Sequence, residues 1–180
     1  MDRKYMKLYD DVLSAEQCER LIEIFETSVE SESFDDDTKK LDQVTLDMEN
    51  DPIAKEIADI TISLFESYVV HCKMLPCQIP TNFGVEGIRI KKYYDDTCTF
   101  LPHVDALDHA SAKRYISFLF YLNTIDDGTG RTVFMNGEEG IAIRPKQGSC
   151  LMFPPLWTMP HYAEPSYSNK YIMSTYINFL

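Results

Sequence analysis

Apolar residues along the chain fall into two regimes. Up to about residue 68 they recur every three or four positions, and from Val85 onward they alternate or cluster in short β-rich runs. Ser14-Ala15-Glu16-Gln17 has the form of a capping box, in which the serine hydroxyl accepts from the amide three residues on and Gln17 reaches back. A helix is expected to start there, with Cys18, Leu21, Ile22 and Phe25 forming one buried stripe. Asp51-Pro52 is a second start signal, an N-cap followed by proline at the first helical position, and Ile53, Ile57, Ile60 and Leu64 carry that helix towards Tyr68. Between the helices, residues 30–40 (ESESFDDDTKK) are polar, acidic and without period, which reads as a solvated loop or a lid.

The second half predicts strands at residues 87–94, 114–123, 131–135, 140–144, 149–153 and 170–179, separated by Gly, Pro, Asn and Asp. The run at 114–123 (RYISFLFYLN) is apolar on both faces and fits a central strand covered on each side. Helices followed by an all-β body define an α+β, mainly β class, and a two-sheet jelly roll would close these strands. The expected organisation is one domain over residues 1–180, with 1–80 as helical support and 85–180 as the jelly-roll core.

Composition narrows the choices. The chain has 17 Lys+Arg against 29 Asp+Glu, a formal net charge of −12, so its mean field repels phosphate backbones and anionic lipid. Nucleic acid and membrane are therefore poor expectations as partners, and a neutral or basic peptide is favoured over an anionic polymer. The five cysteines are scattered without a C-x-x-C pair, as expected of reduced, mostly buried thiols. No apolar run of signal-peptide length follows the first residues, so a soluble, cytoplasmic protein is expected.

The candidate chemistry centres on His103-Val104-Asp105. In extended chain, residues two apart project to the same side, so an imidazole and a carboxylate are aimed together. His161 follows the strand-like run 150–155, and Lys170 stands nine residues later at the head of the last strand. Two histidines and one carboxylate on one face of an iron leave three positions open, the facial triad of non-haem Fe(II) oxygenases. If 2-oxoglutarate fills two of those positions, its distal carboxylate needs a buried cation, and Lys170 is placed to supply it. His71 and His109 lack triad-like partners and read as surface or capping histidines.

With these residues in place, the segment from about 88 to 179 resembles the 2-oxoglutarate/Fe(II)-dependent dioxygenases, in their prolyl 4-hydroxylase-like branch. The run 94–105 (YDDTCTFLPHVD) is similar to the family segment in which a tyrosine precedes the first iron-binding histidine. By that resemblance Tyr94 contacts the 2-oxoglutarate carboxylate, while Tyr93 faces away. The strand 114–123 is similar to a family strand that opens with arginine and ends in Tyr-Leu-Asn, which makes Arg114 a substrate-side candidate. Gly130-Arg131-Thr132-Val133-Phe134 resembles the family turn and strand whose threonine lines the cosubstrate pocket, here Thr132. The run 145–153 resembles the turn and strand before the distal histidine, with Gly148 supplying a positive φ. Trp157 is expected to pack beside the iron site. Phe100 stands where prolyl hydroxylases often carry a tyrosine.

The resemblance implies a double-stranded β-helix core with the N-terminal helices packed on its major sheet. It implies iron held by His103, Asp105 and His161, with 2-oxoglutarate and dioxygen as cosubstrates and ascorbate as reductant. The reaction implied is decarboxylation of 2-oxoglutarate to succinate coupled to hydroxylation of an aliphatic carbon, most simply a prolyl residue in a peptide or protein. Hydroxylation of a free amino acid or other small molecule is the alternative within enzymes. A non-catalytic 2-oxoglutarate or metal sensor is the alternative outside them. Substrate choice is expected to rest on residues 30–40, 74–85 and 105–113.

Overall fold

The computed structural model describes residues 3–135 and 140–180. In chain order the first elements are β1 (Lys7–Tyr9), α1 (Ala15–Thr27), β2 (Glu32–Asp35), β3 (Lys40–Thr45), α2 (Pro52–His71), β4 (Phe83–Val85) and β5 (Arg89–Tyr93). There follow β6 (Phe100–His103), β7 (Arg114–Tyr121), β8 (Thr132–Phe134), β9 (Ile141–Ile143), β10 (Cys150–Phe153), β11 (His161–Ala163) and β12 (Lys170–Phe179). Both helices start where their caps predict. The Ser14 amide donates to Gln17 Oε1 at 2.8 Å and the Gln17 amide to Ser14 Oγ at 3.2 Å, while Asp51 accepts from the Ile53 amide at 3.0 Å.

Among the described residues the strands form two antiparallel sheets. The major sheet runs β1-β10-β7-β12-β5-β3-β2, with β4 also paired to β12, and the minor sheet runs β6-β11-β8-β9. Strict alternation on the central strands decides what each face meets. On β7, Ile116, Phe118 and Phe120 join Leu21 and Phe25 of α1 and Ile57, Phe65 and Tyr68 of α2 in one apolar cluster, so the helices cover the outer face. The other face turns Tyr121 of β7, Tyr93 of β5 and Ile172 of β12 towards Phe134 and Ala163 of the minor sheet. The fold is therefore a two-sheet jelly roll with helices on the major sheet, as expected.

The acidic segment 30–40 differs from its reading as a loop. Its first part is β2, paired with β3, which in turn pairs with β5, so the segment extends the major sheet. A tight turn held by Asp36, which accepts from the amides of Thr38 and Lys39, joins the two strands. The hairpin is also laced to β6, because Lys40 donates to the Thr99 carbonyl at 2.8 Å and Leu101 to that of Thr38 at 2.8 Å. Polar composition hid these strands: β2 is mostly exposed, and on β3 Leu41 and Val44 are buried towards opposite faces, one in each core cluster.

Gly148 does supply a positive φ, +77°, and an added Cβ would lie 2.4 Å from the Leu13 carbonyl oxygen. The Gly148 carbonyl accepts from both Val12 and Leu13, fixing the entry to α1. Backbone strain and steric conflict coincide here, so Gly148→Ala is expected to cost about 2–4 kcal/mol of unfolding free energy, read as a lower urea midpoint. Four of the five cysteines are buried and all are unpaired. Among the described residues no helix is long and apolar enough to cross a membrane.

Candidate active site

The inner face of the major sheet is the floor of a cavity between the two sheets, and strand register sets the order of side chains along it. Lys170 of β12 lies opposite Tyr93 of β5, Ile172 opposite Lys91, and Ser174 opposite Arg89. On the other side of β12, Ile172 lies opposite Tyr121 of β7, Ser174 opposite Leu119, and Tyr176 opposite Ser117. Lysine and the tyrosines thus occupy one end of the floor, and Ser117 and Tyr176 the other. The minor sheet closes the roof, where His103 of β6 and His161 of β11 are direct cross-strand partners.

At the Ser117 end, one ligand atom each from His103, Asp105 and His161 lie within 4.8 Å of one another. The Nε2 atoms of His103 and His161 are 3.8 and 4.0 Å from Asp105 Oδ1. Each Nδ1 is tied to a backbone carbonyl, His103 to Leu101 at 2.7 Å and His161 to Met159 at 3.1 Å. Those bonds place the ring proton on Nδ1 and leave both Nε2 lone pairs directed at the same point. Phe100 stacks on His103 with centroids 3.6 Å apart, and Phe134 and Phe153 pack on His161, so neither ring can swing away. Ser117 donates to Asp105 Oδ2 at 2.7 Å and Tyr176 to Oδ1 at 3.2 Å.

The electrostatics match the demands of a divalent metal. Burial, with the charge of His161 and Lys91 against it, holds His103 down to about 4, so its imidazole is neutral at physiological pH. Burial alone would raise Asp105, but the His161 charge, the Ser117 hydroxyl and His103 more than offset it, and its carboxyl sits below the usual range. Two imidazole nitrogens and an anionic oxygen, with the remaining side open to the cavity, suit Fe(II).

At the other end, Lys170 is fully buried and donates to the Gly130 carbonyl at 2.8 Å, with its ammonium 4.7 Å from the Tyr93 ring centroid. No carboxylate among the described residues lies within ion-pair distance, and desolvation holds it down to about 7. A buried ammonium without an anionic partner is what the distal carboxylate of a keto acid would complete. Gly130 makes room for it: its φ is +65°, and an added Cβ would fall 2.9 Å from Ser166 Oγ and 3.3 Å from Lys170 Cδ. Thr132 lines this end and accepts from the buried Tyr121 hydroxyl at 2.9 Å.

Two expected placements are corrected. Tyr94 is 38 % exposed and outside the cavity, whereas Tyr93 is buried and lines it. Pairing explains the difference, since Tyr93 shares a face with Arg89 and Lys91 opposite Lys170, and adjacent tyrosines cannot be separated by counting back from His103. Trp157 is 79 % exposed and does not pack on the site, where Phe100, Phe134 and Phe153 hold the rings instead. Arg114 lies beside the metal ligands, but its guanidinium is engaged. It donates to both Glu86 oxygens at 3.0 and 2.7 Å and to the Asp105 carbonyl at 2.7 Å, and stacks on Tyr176 at 4.0 Å. Arg114, with Arg89 and Asn178 also donating, holds Glu86 down to about 2 against the upward pull of burial. The sequence reading singled out neither Glu86 nor Lys91, although counting alternate residues back from Tyr93 leads to Lys91.

A two-histidine, one-aspartate face at one end of a jelly-roll cavity and a buried lysine at the other define a metal- and keto-acid-dependent oxygenase site. The family model described as the 2OG-Fe(II) oxygenase superfamily matches residues 88–178, and the chain belongs to that superfamily. It is a 2-oxoglutarate-dependent dioxygenase whose cofactors are Fe(II) and 2-oxoglutarate. Among solved structures, it is similar to a viral collagen prolyl hydroxylase of Paramecium bursaria Chlorella virus-1 bound to 2OG, with TM-score 0.77 and 20 % identity over 99 % of this chain and 98 % of that one. A Trichoplax adhaerens prolyl hydroxylase in complex with a hypoxia inducible factor peptide gives TM-score 0.76 and 14 % identity over 97 % and 84 %. The α-ketoglutarate-dependent epimerase SnoN of nogalamycin biosynthesis gives TM-score 0.74 and 13 % identity over 98 % and 80 %. These likenesses show a shared fold that carries different reactions. A search of curated proteins finds no match.

Proposed function

We propose that this dioxygenase hydroxylates a prolyl residue within a peptide or protein. His103, Asp105 and His161 would hold the iron, and Lys170 the distal carboxylate of 2-oxoglutarate, with Thr132 and Tyr93 beside it. When bound, these groups supply the oxidation of an aliphatic C–H at the expense of decarboxylating the keto acid to succinate. Ser117 and Tyr176 keep Asp105 oriented and ionised, and the aromatic rings around His161 exclude water from that side. Arg114 is read as a positioning residue that pins the Asp105 backbone carbonyl directly, with Glu86 fixing its guanidinium.

The observation carrying the substrate reading is the approach to the metal ligands. An open groove lined by Arg89, Leu107, Asp108, Ser111 and Lys113 leads to Asp105. The Ala106 amide donates to the Pro155 carbonyl at 2.9 Å, which ties the segment carrying the exposed Leu107 to the one carrying the exposed Leu156 and Trp157. An extended groove with apolar side chains at its rim suits a chain segment more than an engulfed small molecule. Prolyl hydroxylases among the similar folds add support. Unpaired, mostly buried thiols support a reducing compartment, and we place the enzyme in the cytoplasm.

The test is a library of proline-containing peptides and free amino acids incubated with Fe(II), 2-oxoglutarate and ascorbate, followed by mass spectrometry. A one-oxygen gain on prolyl peptides, with matching succinate, is expected. Oxygen gain on free amino acids alone would replace the prolyl-peptide reading, and tight 2-oxoglutarate binding without succinate would make the site a sensor.

A further inference from the structure

The cavity holds a second lysine that neither the metal ligands nor the cosubstrate end uses. Lys91 lies two residues from Tyr93 on the same face of β5, opposite Ile172, and lines the cavity together with His103 and Asp105. Its ammonium makes no hydrogen bond and no ion pair among the described residues; the Phe100 ring lies 5.9 Å from Nζ to centroid, and Asp105 is near enough to act on it only through its field. Lys39, brought over by the β2–β3 hairpin, sits 6.0 Å from the same ring and 3.4 Å from that of Phe34. Two cations thus flank the aromatic ring that stacks on the iron-binding His103.

The neighbouring charges do not satisfy Lys91. Arg89 and Arg114 are both paired to Glu86, at 2.8 and 2.7 Å, so that carboxylate is not available to it. Asp105 is committed to Ser117, Tyr176 and the metal. In the loaded site the dication and Lys170 are balanced by Asp105 and the two carboxylates of 2-oxoglutarate, which leaves Lys91 as surplus positive charge. A second group also lacks a partner. Ser174 Oγ is buried without a hydrogen bond, lines the same cavity, and lies one residue pair along β12 from Lys91 on the same face. An ammonium and a hydroxyl left open side by side need an acceptor from outside the protein.

We propose that Lys91, assisted by Ser174 and by Lys39 at the rim, binds a carboxylate carried by the substrate, so that the preferred substrate is acidic beside the carbon that is oxidised. This rests on the dioxygenase reading and deepens it: the target proline is followed or preceded by an acidic side chain, or bears a free carboxylate. The net charge of −12 argued for a neutral or basic partner. Locally the sign reverses: apart from the metal ligand Asp105, the charged residues lining the cavity are Lys91 and Lys170, and Lys39 stands at the rim although its own hairpin is acidic. Over a few ångströms, in a partly desolvated cavity, the local charges dominate the distant screened ones.

The experiment uses protein labelled with 13C at the lysine ε-carbons and loaded with Zn(II) and 2-oxoglutarate, the signal missing from Lys91→Met being that of Lys91. Acetate, N-acetylglycine and N-acetyl-L-proline are titrated in, and then their amides. The Lys91 signal is expected to move saturably with the acids and to stay still with the amides. No movement with any acid, or equal movement with the amides, overturns the proposal. The competing source of the carboxylate is the metal-side end of 2-oxoglutarate itself. Calorimetry on Lys91→Met is expected to show cosubstrate affinity changed by less than about threefold. A loss of roughly tenfold or more, the range for one charge-assisted hydrogen bond, would assign Lys91 to the cosubstrate and overturn it. For any peptide that is turned over, kcat/KM is expected to exceed that of its neutralised counterpart by roughly tenfold to a hundredfold, a preference that Lys91→Met removes and Lys91→Arg partly retains. Absence of succinate release by the Fe(II)-loaded wild type would instead strike the dioxygenase reading.

Discussion

Replacing His103 by alanine is expected to abolish succinate release from 2-oxoglutarate while leaving the fold intact. The imidazole contributes one of the three donor atoms that converge within 4.8 Å, and its ring is held for that purpose by the Leu101 carbonyl and by Phe100. Loss of a residue that merely orients a metal ligand typically costs about 10- to 100-fold, so loss of the ligand itself should exceed a hundredfold in turnover. The fold has little stake in this side chain. His103 is only half-buried at the end of a four-residue strand whose neighbours Leu101 and Pro102 are exposed. Circular dichroism and the thermal midpoint should therefore match the wild type, while metal analysis after dialysis shows iron lost. Retained succinate release in this variant would remove the metal centre from its proposed place.

Lys170→Met carries the second large effect, and it acts in opposite directions on binding and on stability. Removing one partner of a buried ion pair costs about 3–5 kcal/mol, so 2-oxoglutarate affinity is expected to fall by roughly two to three and a half orders of magnitude in calorimetry. Without cosubstrate, the ammonium is a burden on the folded state. Its pKa is held down to about 7 by burial, below the value of an exposed lysine, so between those values the unfolded chain binds more protons. Stability of the cosubstrate-free wild type should consequently rise with pH above about 7, and the methionine variant should lack that rise. For binding the sign is reversed: the dianion needs the charged ammonium, so above about pH 7 binding takes up a proton and affinity weakens as pH rises. Proton uptake, measured by calorimetry in buffers of different ionisation enthalpy, reads this directly.

What the sequence disclosed follows from the range over which each signal acts. Helix starts are local, and Ser14 with Gln17 and Asp51 with Pro52 carry their own hydrogen-bonding logic. The metal ligands and Lys170 were legible because the chemistry demands particular residue types in a particular order. Strand β3 was not legible, since KLDQVT is short and half polar and becomes a strand only against β5. Strand β6 contains Pro102, which reads as a break and is tolerated at the edge of the minor sheet. The choice between Tyr93 and Tyr94 depends on pairing with β12, which no count of spacing supplies. Lys91 was passed over because isoleucine alternating with lysine is also the pattern of a half-solvated strand, and the roof over that lysine comes from another sheet.

Strand β12 has a consequence for how this enzyme can vary. One uninterrupted ten-residue segment presents Lys170 at its head and Tyr176, the partner of Asp105, six positions on, with Ser174 between. Both ends of the reaction chamber are thereby gauged by a single rigid rod. Exchange of a side chain along it retunes one contact at a time, but an inserted or deleted residue would invert every side chain beyond it and detach lysine from tyrosine in one stroke. Natural and engineered variants should therefore keep the length of this rod fixed even where single residues along it are exchanged.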